Sequence, residues 1–268
     1  MDNRQPSGRP LLARYIDFIE YGEAWELQKE YVAEIDRGER AETLLLLQHP
    51  PTYTLGTDRH PEHLLLSPEE LRKQGIGVFE IDRGGDITYH GPGQLVGYPL
   101  MYLDARGLDL HGFLRELEQV IIDWLADYGI EGGRKPEYTG VWVGDEKIAA
   151  IGIKFNKARK RRGFVTSHGF ALNIKAGIAE QGFSGIIPCG IQEYGVTSFE
   201  DLTGIEMSLE RAAREILPHF MAGSASIRRL QPGNEGMKGA GRPGRPLRQS
   251  SQPMLDRTVV TSRVINTT

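Results

Sequence analysis

"TGVWVGDEKIAAIGIKFN", residues 139–156, decides how this chain builds its sheet. Two apolar, alternating runs flank Gly144–Asp145, a pair that accepts the φ > 0 geometry of a tight two-residue turn, so the stretch predicts a β-hairpin. Hairpins close antiparallel ladders, whereas parallel strands need long crossovers. Outward from it, "TLLLLQHPPTYTLG" (43–56) reads as a buried strand, a Pro-Pro break and a second strand. "GVFEIDR" (77–83), "QLVGYPLMYL" (94–103) and "HGFALNI" (168–174) read as further strands. Apolar residues recur at helical spacing over 21–38, closing at Gly38, over 110–128, stopping at Gly129, and over 208–220. The expected class is α/β of the α+β kind: one mixed, largely antiparallel sheet flanked by helices.

A chain of 268 residues with 39% hydrophobic and 25% charged residues predicts one globular domain with extras and excludes a fibrous or disordered class for most of its length. No apolar run approaches the roughly 18 residues that span a bilayer. "MDNRQPSGRPLLARY" (1–15) has no signal-peptide core, so a cytoplasmic protein without a membrane partner is expected. Composition shifts near residue 222, predicting a globular domain over 1–222 and a basic, Gly/Pro/Arg-rich flexible tail over 223–268. Beyond 222, eight Lys and Arg stand against two acids, so of the formal net charge of −4 the first 222 residues carry −10. An acidic domain argues against nucleic acid as a partner.

The single cysteine, Cys189, allows no internal disulfide and no cysteine-rich metal site. A lone cysteine is commonly a small buried hydrophobe. In "IIPCGI" (186–191), however, it stands between Pro188 and Gly190 in a strand-ending loop, a perch that suits a nucleophile. A free thiol has a pKa of about 8.5, so attack at neutral pH requires a nearby cation or base. Lys147 opens "KIAAIGIK" (147–154), where strand alternation would set it on one face with Ala149, beside small residues that leave room for a ligand. The glycine-rich loop "RGGDITYHGPGQLVGYPL" (83–100) offers Arg83, Gly84, Gly85, Thr88, Tyr89 and His90 to a carbonyl or anion, without a Walker or dinucleotide fingerprint. "KFNKARKRRG" (154–163) is a basic run, either a solvated hairpin loop or a docking patch. His60 and His63 of "RHPEH" lack further ligands and read as a surface loop, so no metal is expected.

Taken in order, "RGGDITYHGPGQLVGYPL", "KIAAIG", "HGFALN" and "IPCGI" closely resemble the lipoyl(octanoyl) transferases, over about residues 13–220. The resemblance implies the catalytic-domain fold shared with biotin- and lipoate-protein ligases. It also implies transfer of an octanoyl group from octanoyl-acyl carrier protein to a lysine of lipoyl domains, those of 2-oxoacid dehydrogenase E2 subunits and the glycine cleavage H protein, with no cofactor. It makes Cys189 the acyl-thioester nucleophile and Lys147 the cation or base beside it. It assigns substrate binding to Arg83, Gly84, Gly85, Asp86, Ile87, Thr88, Tyr89 and His90, with Tyr89 and His90 facing the cavity. Ala150, Ile151 and Gly152, and His168, Gly169, Phe170 and Ala171, complete the expected lining. Both macromolecular substrates are acidic in that family, which points to the 154–162 run as their docking surface. Two rivals stand beside this reading. An ATP-dependent lipoate- or biotin-protein ligase would hold an acyl-adenylate with Lys147 and need no Cys189; a non-catalytic module binding lipoyl domains or carrier protein would need neither residue. The tail after 222 has no counterpart in the resemblance.

Overall fold

The Pro50–Pro51 pair divides the strands of this chain between two sheets, because two successive residues without an N–H cannot continue a ladder. The computed structural model describes residues 11–104, 110–187 and 194–229. Its elements begin with β1 (Leu11–Ile16), α1 (Tyr21–Arg37), β2 (Glu42–Leu47), β3 (Thr52–Leu55), α2 (Pro68–Gln74), β4 (Gly77–Glu80), β5 (Ile87–His90), β6 (Gln94–Leu100) and β7 (Tyr102–Asp104). They continue with α3 (Leu110–Ala126), β8 (Gly133–Lys135), β9 (Tyr138–Val143), β10 (Glu146–Lys157), β11 (Gly163–Asn173), α4 (Ile178–Gly182), β12 (Gly195–Val196), α5 (Phe199–Thr203) and α6 (Leu209–Arg229).

The main sheet runs β1-β2-β6-β11-β10-β9-β8, with β7 added to β11 and β12 to β10. Only β1–β2 and β10–β12 pair parallel in it, and the expected hairpin joins β9 to β10. A second sheet, β4-β3-β5, stands apart where a single sheet was expected. Its β5 was expected as part of a loop, yet Ile87–His90 pairs residue for residue with Thr52–Leu55. The Gly91–Gly93 turn, closed by Gln94 N–H on the Gly91 carbonyl (3.2 Å), then sends the chain into the main sheet as β6.

Both faces of the main sheet are covered. On β2, Leu44 and Leu46 pack with α3 and α6, while Leu45 and Leu47 pack with Ala24, Tyr31 and Ile35 of α1. A strand buried on both faces has no polar positions to alternate, which is why "LLLL" reads as an unbroken apolar run. Burying each leucine contributes roughly 1.5–3 kcal/mol. Helix α1 ends at Gly38, whose φ of 78° only glycine adopts cheaply. Strands β6 and β11 approach so closely that a Cβ on Gly169 would lie 1.9 Å from the Gly97 carbonyl oxygen. Helix α6 continues to Arg229, past the boundary placed at 222. The remainder of the expected tail lies outside the described residues. Among the described residues no helix is long and apolar enough to cross a membrane.

Candidate active site

Strand β10 carries a β-bulge at its start. Lys147 faces Trp142 on β9, but Ala149 faces Val141, so one extra residue sits on β10. Ile148 and Ala149 both turn into the core, fully buried, and Lys147 and Ala150 share the opposite face. The expected pairing of Lys147 with Ala149 is thereby corrected: a bulge shifts the two-residue period by one, and nothing in the alternation announces it. Lys147 is half-buried, with Nζ 4.8 Å from the centroid of the Trp142 ring.

That face of β10 floors a two-lobed cleft. The first lobe, about 450 Å³, is walled by Trp142, Phe183, Tyr194 and Val196, with Gln94 and Asn173 behind. The second, about 520 Å³, is walled by Tyr21, Arg83, His90, Tyr98, Thr139 and His168. Thr88, Lys147, Ala150 and Ala171 belong to both lobes and form the waist between them. Of the other residues expected at the site, Gly84, Gly85, Ile151, Gly152, Gly169 and Phe170 line the second lobe. Asp86, Ile87 and Tyr89 do not line the cleft. The pleat of β5 turns Thr88 and His90 toward it and Ile87 and Tyr89 away, into a separate cluster with Tyr53 and Ile178. Asp86 instead accepts the His60 N–H (2.9 Å) and pairs with His63 Nδ1, holding the short turn Pro61–His63.

The polar side chains of the second lobe are engaged by the protein itself. Arg83 donates through one guanidinium nitrogen to the Thr54 carbonyl (2.8 Å) and Thr54 Oγ1 (3.0 Å), and through the other to the Gly84 carbonyl (3.0 Å). Thr54 Oγ1 lies 3.4 Å from His90 Nε2. His90 Nδ1–H donates to Gln94 Oε1 (3.0 Å), and Gln94 Nε2 donates to Asn173 Oδ1 (3.0 Å). Asn173 Nδ2 in turn donates to the Thr197 carbonyl (3.0 Å). The backbone carbonyl at the end fixes each amide's orientation and hence the His90 tautomer. Burial pushes the His90 imidazole well below its usual pKa, with His49 and Arg83 adding to the effect, so it is neutral. His168 donates Nε2–H to Asp82 Oδ1 (2.8 Å). Burial lowers the His168 pKa more than Asp82 raises it, while the bond from His168, and then Lys154, holds the Asp82 carboxyl below its usual range. His168 has φ of 57°, the sole positive value outside glycine among the described residues, and Gln28 Oε1 accepts its backbone N–H at 2.7 Å.

Several participants escaped the reading of the sequence. Gln94 and Asn173 sit inside the quoted motifs, four residues after His90 and at the end of "HGFALN", but amides carry no chemistry of their own to single them out. His49, within 2.9 Å of the Ile19 carbonyl and 2.8 Å of the Tyr98 hydroxyl, backs the second lobe, and burial lowers its pKa to about 4. Trp142 and Tyr194 meet edge to face at 5.4 Å.

Cys189 lies outside the described residues. On either side of its segment, Ile187 donates its N–H to the His63 carbonyl (2.9 Å), and Tyr194 enters the wall of the first lobe. Gly195 and Val196 pair with Glu146 and Lys147, and Thr197 donates its N–H to the Lys147 carbonyl (3.1 Å). The chain leaving the cysteine segment is thus bonded directly to the strand that bears Lys147. Of the basic run, Lys154 is paired with Asp82, and Arg161 bonds the C-terminal carbonyls of α1 and stacks on Tyr102 at 3.9 Å. Lys157, Arg159, Lys160 and Arg162 are exposed.

The family model described as the lipoyl protein ligase A/B catalytic domain matches residues 20–221. An octanoyltransferase of Rubrobacter xylanophilus is 52% identical over 201 residues, 75% of this chain and 87% of that protein. One from Solibacter usitatus is 46% identical, over 79% of this chain and 92% of that protein. Among solved structures, lipoate-protein ligase A bound with ATP matches with a TM-score of 0.62 at 15% identity, covering 81% of this chain and 93% of that one. A bi-partite lipoate protein ligase from Thermoplasma acidophilum matches with a TM-score of 0.60 at 16% identity, covering 82% and 91%. At such identities the structures establish a shared fold.

Proposed function

The chain belongs to the lipoyl protein ligase A/B catalytic-domain family, among its octanoyltransferases, and from that premise we propose that it moves an octanoyl group from a carrier-protein thioester to a lipoyl-domain lysine through a thioester on Cys189. The observation that carries the site assignment is the bonding of residues 195–197 to the Lys147 strand, which ties the chain on from Cys189 to the waist of the cleft.

In the first half-reaction the Cys189 thiolate attacks the octanoyl carbonyl. A carbon–sulfur bond to the enzyme forms, the bond to the carrier's sulfur breaks, and the carrier leaves as a thiol with a proton given up by the Lys147 ammonium. The Lys147 ammonium favours the attacking thiolate over the thiol. One thioester is exchanged for another of similar energy, so the step requires no ATP. In the second half-reaction the acceptor lysine amine attacks the acyl carbonyl, a carbon–nitrogen bond forms, and the Cys189 sulfur leaves as thiolate. Lys147, deprotonated at that stage, takes the proton of the incoming amine. The fall from thioester to amide drives the sequence forward.

The second lobe suits the acyl chain. The terminal guanidinium nitrogens of Arg83, and the rings of His90 and His168, are already bonded within the protein, so apolar carbons laid against those atoms strand no partner. The acceptors on this reading are lipoyl domains of 2-oxoacid dehydrogenase E2 subunits and the glycine cleavage H protein, and Lys157, Arg159, Lys160 and Arg162 offer a docking surface to acidic partners.

Intact mass after incubation with octanoyl-carrier protein, without ATP, tests the proposal. An octanoyl adduct that hydroxylamine removes and Cys189→Ser lacks is the expected result. No adduct without ATP, with octanoyl-AMP formed when ATP is added, would make the protein a ligase; neither product would leave a binding module.

A further inference from the structure

Outside the cleft, Glu118 on α3 is a buried charge with three partners. Its side chain is fully buried. Oε2 accepts from Arg115 (2.7 Å) and from Arg134 Nε (2.8 Å), and Oε1 accepts the backbone N–H of Gly140 (3.1 Å). The two arginines are partly exposed, 48% and 32%, and a pair of that kind needs no buried carboxylate. The Gly140 N–H, itself buried, takes its acceptor from Glu118.

Gly140 lies on β9 directly beneath the bulge. Its φ of 133° is closed to other residues, and a Cβ there would stand 2.5 Å from the Ala149 carbonyl oxygen and 3.4 Å from Lys147 Cε. This is the point where β10 slips by one residue and Lys147 changes sides relative to Ala149. An unbulged β10 would set Ala149 beside Lys147 and turn Ala150 away from the cleft.

We propose that Glu118 is a positioning residue for transfer: by holding the Gly140 N–H it fixes the bulge that aims Lys147 into the cleft. The inference rests on the reading of Lys147 and Cys189 given above, and the readout separates the two. Cys189 is the sole cysteine of the chain, so the pH dependence of its alkylation by iodoacetamide in the full-length protein reports the thiol's own titration.

Lys147→Gln is expected to raise the alkylation midpoint by about one pH unit, toward the free-thiol value of about 8.5. Glu118→Ala is expected to produce the same shift, together with a tenfold or greater loss in the rate of octanoylation, while KM for the octanoyl donor stays within twofold. Gly140→Ala, which leaves the carboxylate in place but displaces the bulge, should reproduce the Glu118→Ala shift, and the double variant should add nothing to it. If Glu118→Ala does not fold, Glu118→Gln carries the test: its amide oxygen still accepts the Gly140 N–H, so the midpoint should stay at the parent value, and a shift as large as that of Lys147→Gln would overturn the positioning role. If Lys147→Gln leaves the midpoint unmoved, the reading of Lys147 fails. If Lys147→Gln moves it while folded Glu118→Ala and Gly140→Ala only lower the melting temperature, that reading stands and the positioning role is overturned.

Discussion

The lobe bounded by Trp142, Phe183, Tyr194 and Val196 is walled largely by apolar side chains, whereas the lobe across Lys147 is walled by Tyr21, Arg83, His90, Tyr98 and His168. The first takes Trp142 from β9, and Phe183, Tyr194 and Val196 from the chain on either side of Cys189. The second draws them from α1, the small sheet, β6 and β11, and bonds most of their polar groups within the protein. Arg83 bonds Thr54, His90 bonds Gln94, and His168 bonds Asp82. A wall of polar residues can therefore face an acyl chain as readily as an apolar one, because a polar group costs free energy only where its partner is missing. On the proposed function, the difference gives acyl storage to the second lobe, and entry of the thiol and amine substrates to the first.

The sharpest way to break this comparison is at the waist. Lys147→Gln should lower octanoyl transfer by about 10²-fold or more, read in single-turnover acylation, since a positioned proton-transfer group contributes about 10²–10⁴. A variant that transfers normally would leave the two lobes without a shared chemical centre. The uncharged histidines of the second lobe come next. Unfolded, His49 takes up a proton near 6.5; folded, it resists until about 4, so stability is lost as pH falls from 6.5 toward 4. That window accounts for about 3 kcal/mol, and His90, also held neutral by burial, acts in the same direction. Urea unfolding across pH 7 to 4 should show the loss, and His49→Asn should flatten it; an unchanged slope in the variant would locate the titration elsewhere.

Chain length probes the second lobe alone. Each methylene removed from the donor should lower kcat/KM for acylation by about fourfold, from roughly 0.8 kcal/mol per CH₂. Equal rates for butanoyl and octanoyl donors would mean that the chain is not held there. The smallest effect belongs outside both lobes. Reversing Lys157, Arg159, Lys160 and Arg162 to Glu should raise KM for the carrier protein severalfold with kcat unchanged, and added salt should reproduce the change in the parent protein. Identical KM values would remove the docking surface and leave the cleft untouched.

How far the residues alone could be read varies along the chain. "LLLL" of β2 and the Gly144–Asp145 turn were legible because burial on both faces and a tight turn each restrict composition locally. The small sheet was not: β5 lies in a glycine-rich stretch and pairs with β3 more than thirty residues earlier, a contact no local pattern records. That Thr88 and His90 face the cleft while Tyr89 turns away from it was not visible until the pleat was known. The basic run read as one patch, yet Lys154 and Arg161 are committed to Asp82 and to the end of α1.

Sequence by itself determined the residue types that the proposed chemistry draws on: one thiol, a lysine among small residues, and a glycine-rich stretch with a histidine. It also determined a two-sided core, because periodicity follows from which faces are buried. Only the tertiary structure decided which side of β10 bears Lys147, since a single extra residue in one strand inverts the faces that follow. It alone joined His90 to Asn173 through Gln94, and Glu118 to Gly140. Hydrogen bonds between distant segments depend on where the backbone passes in space, and that is settled by packing across the whole sheet rather than by any one stretch of it.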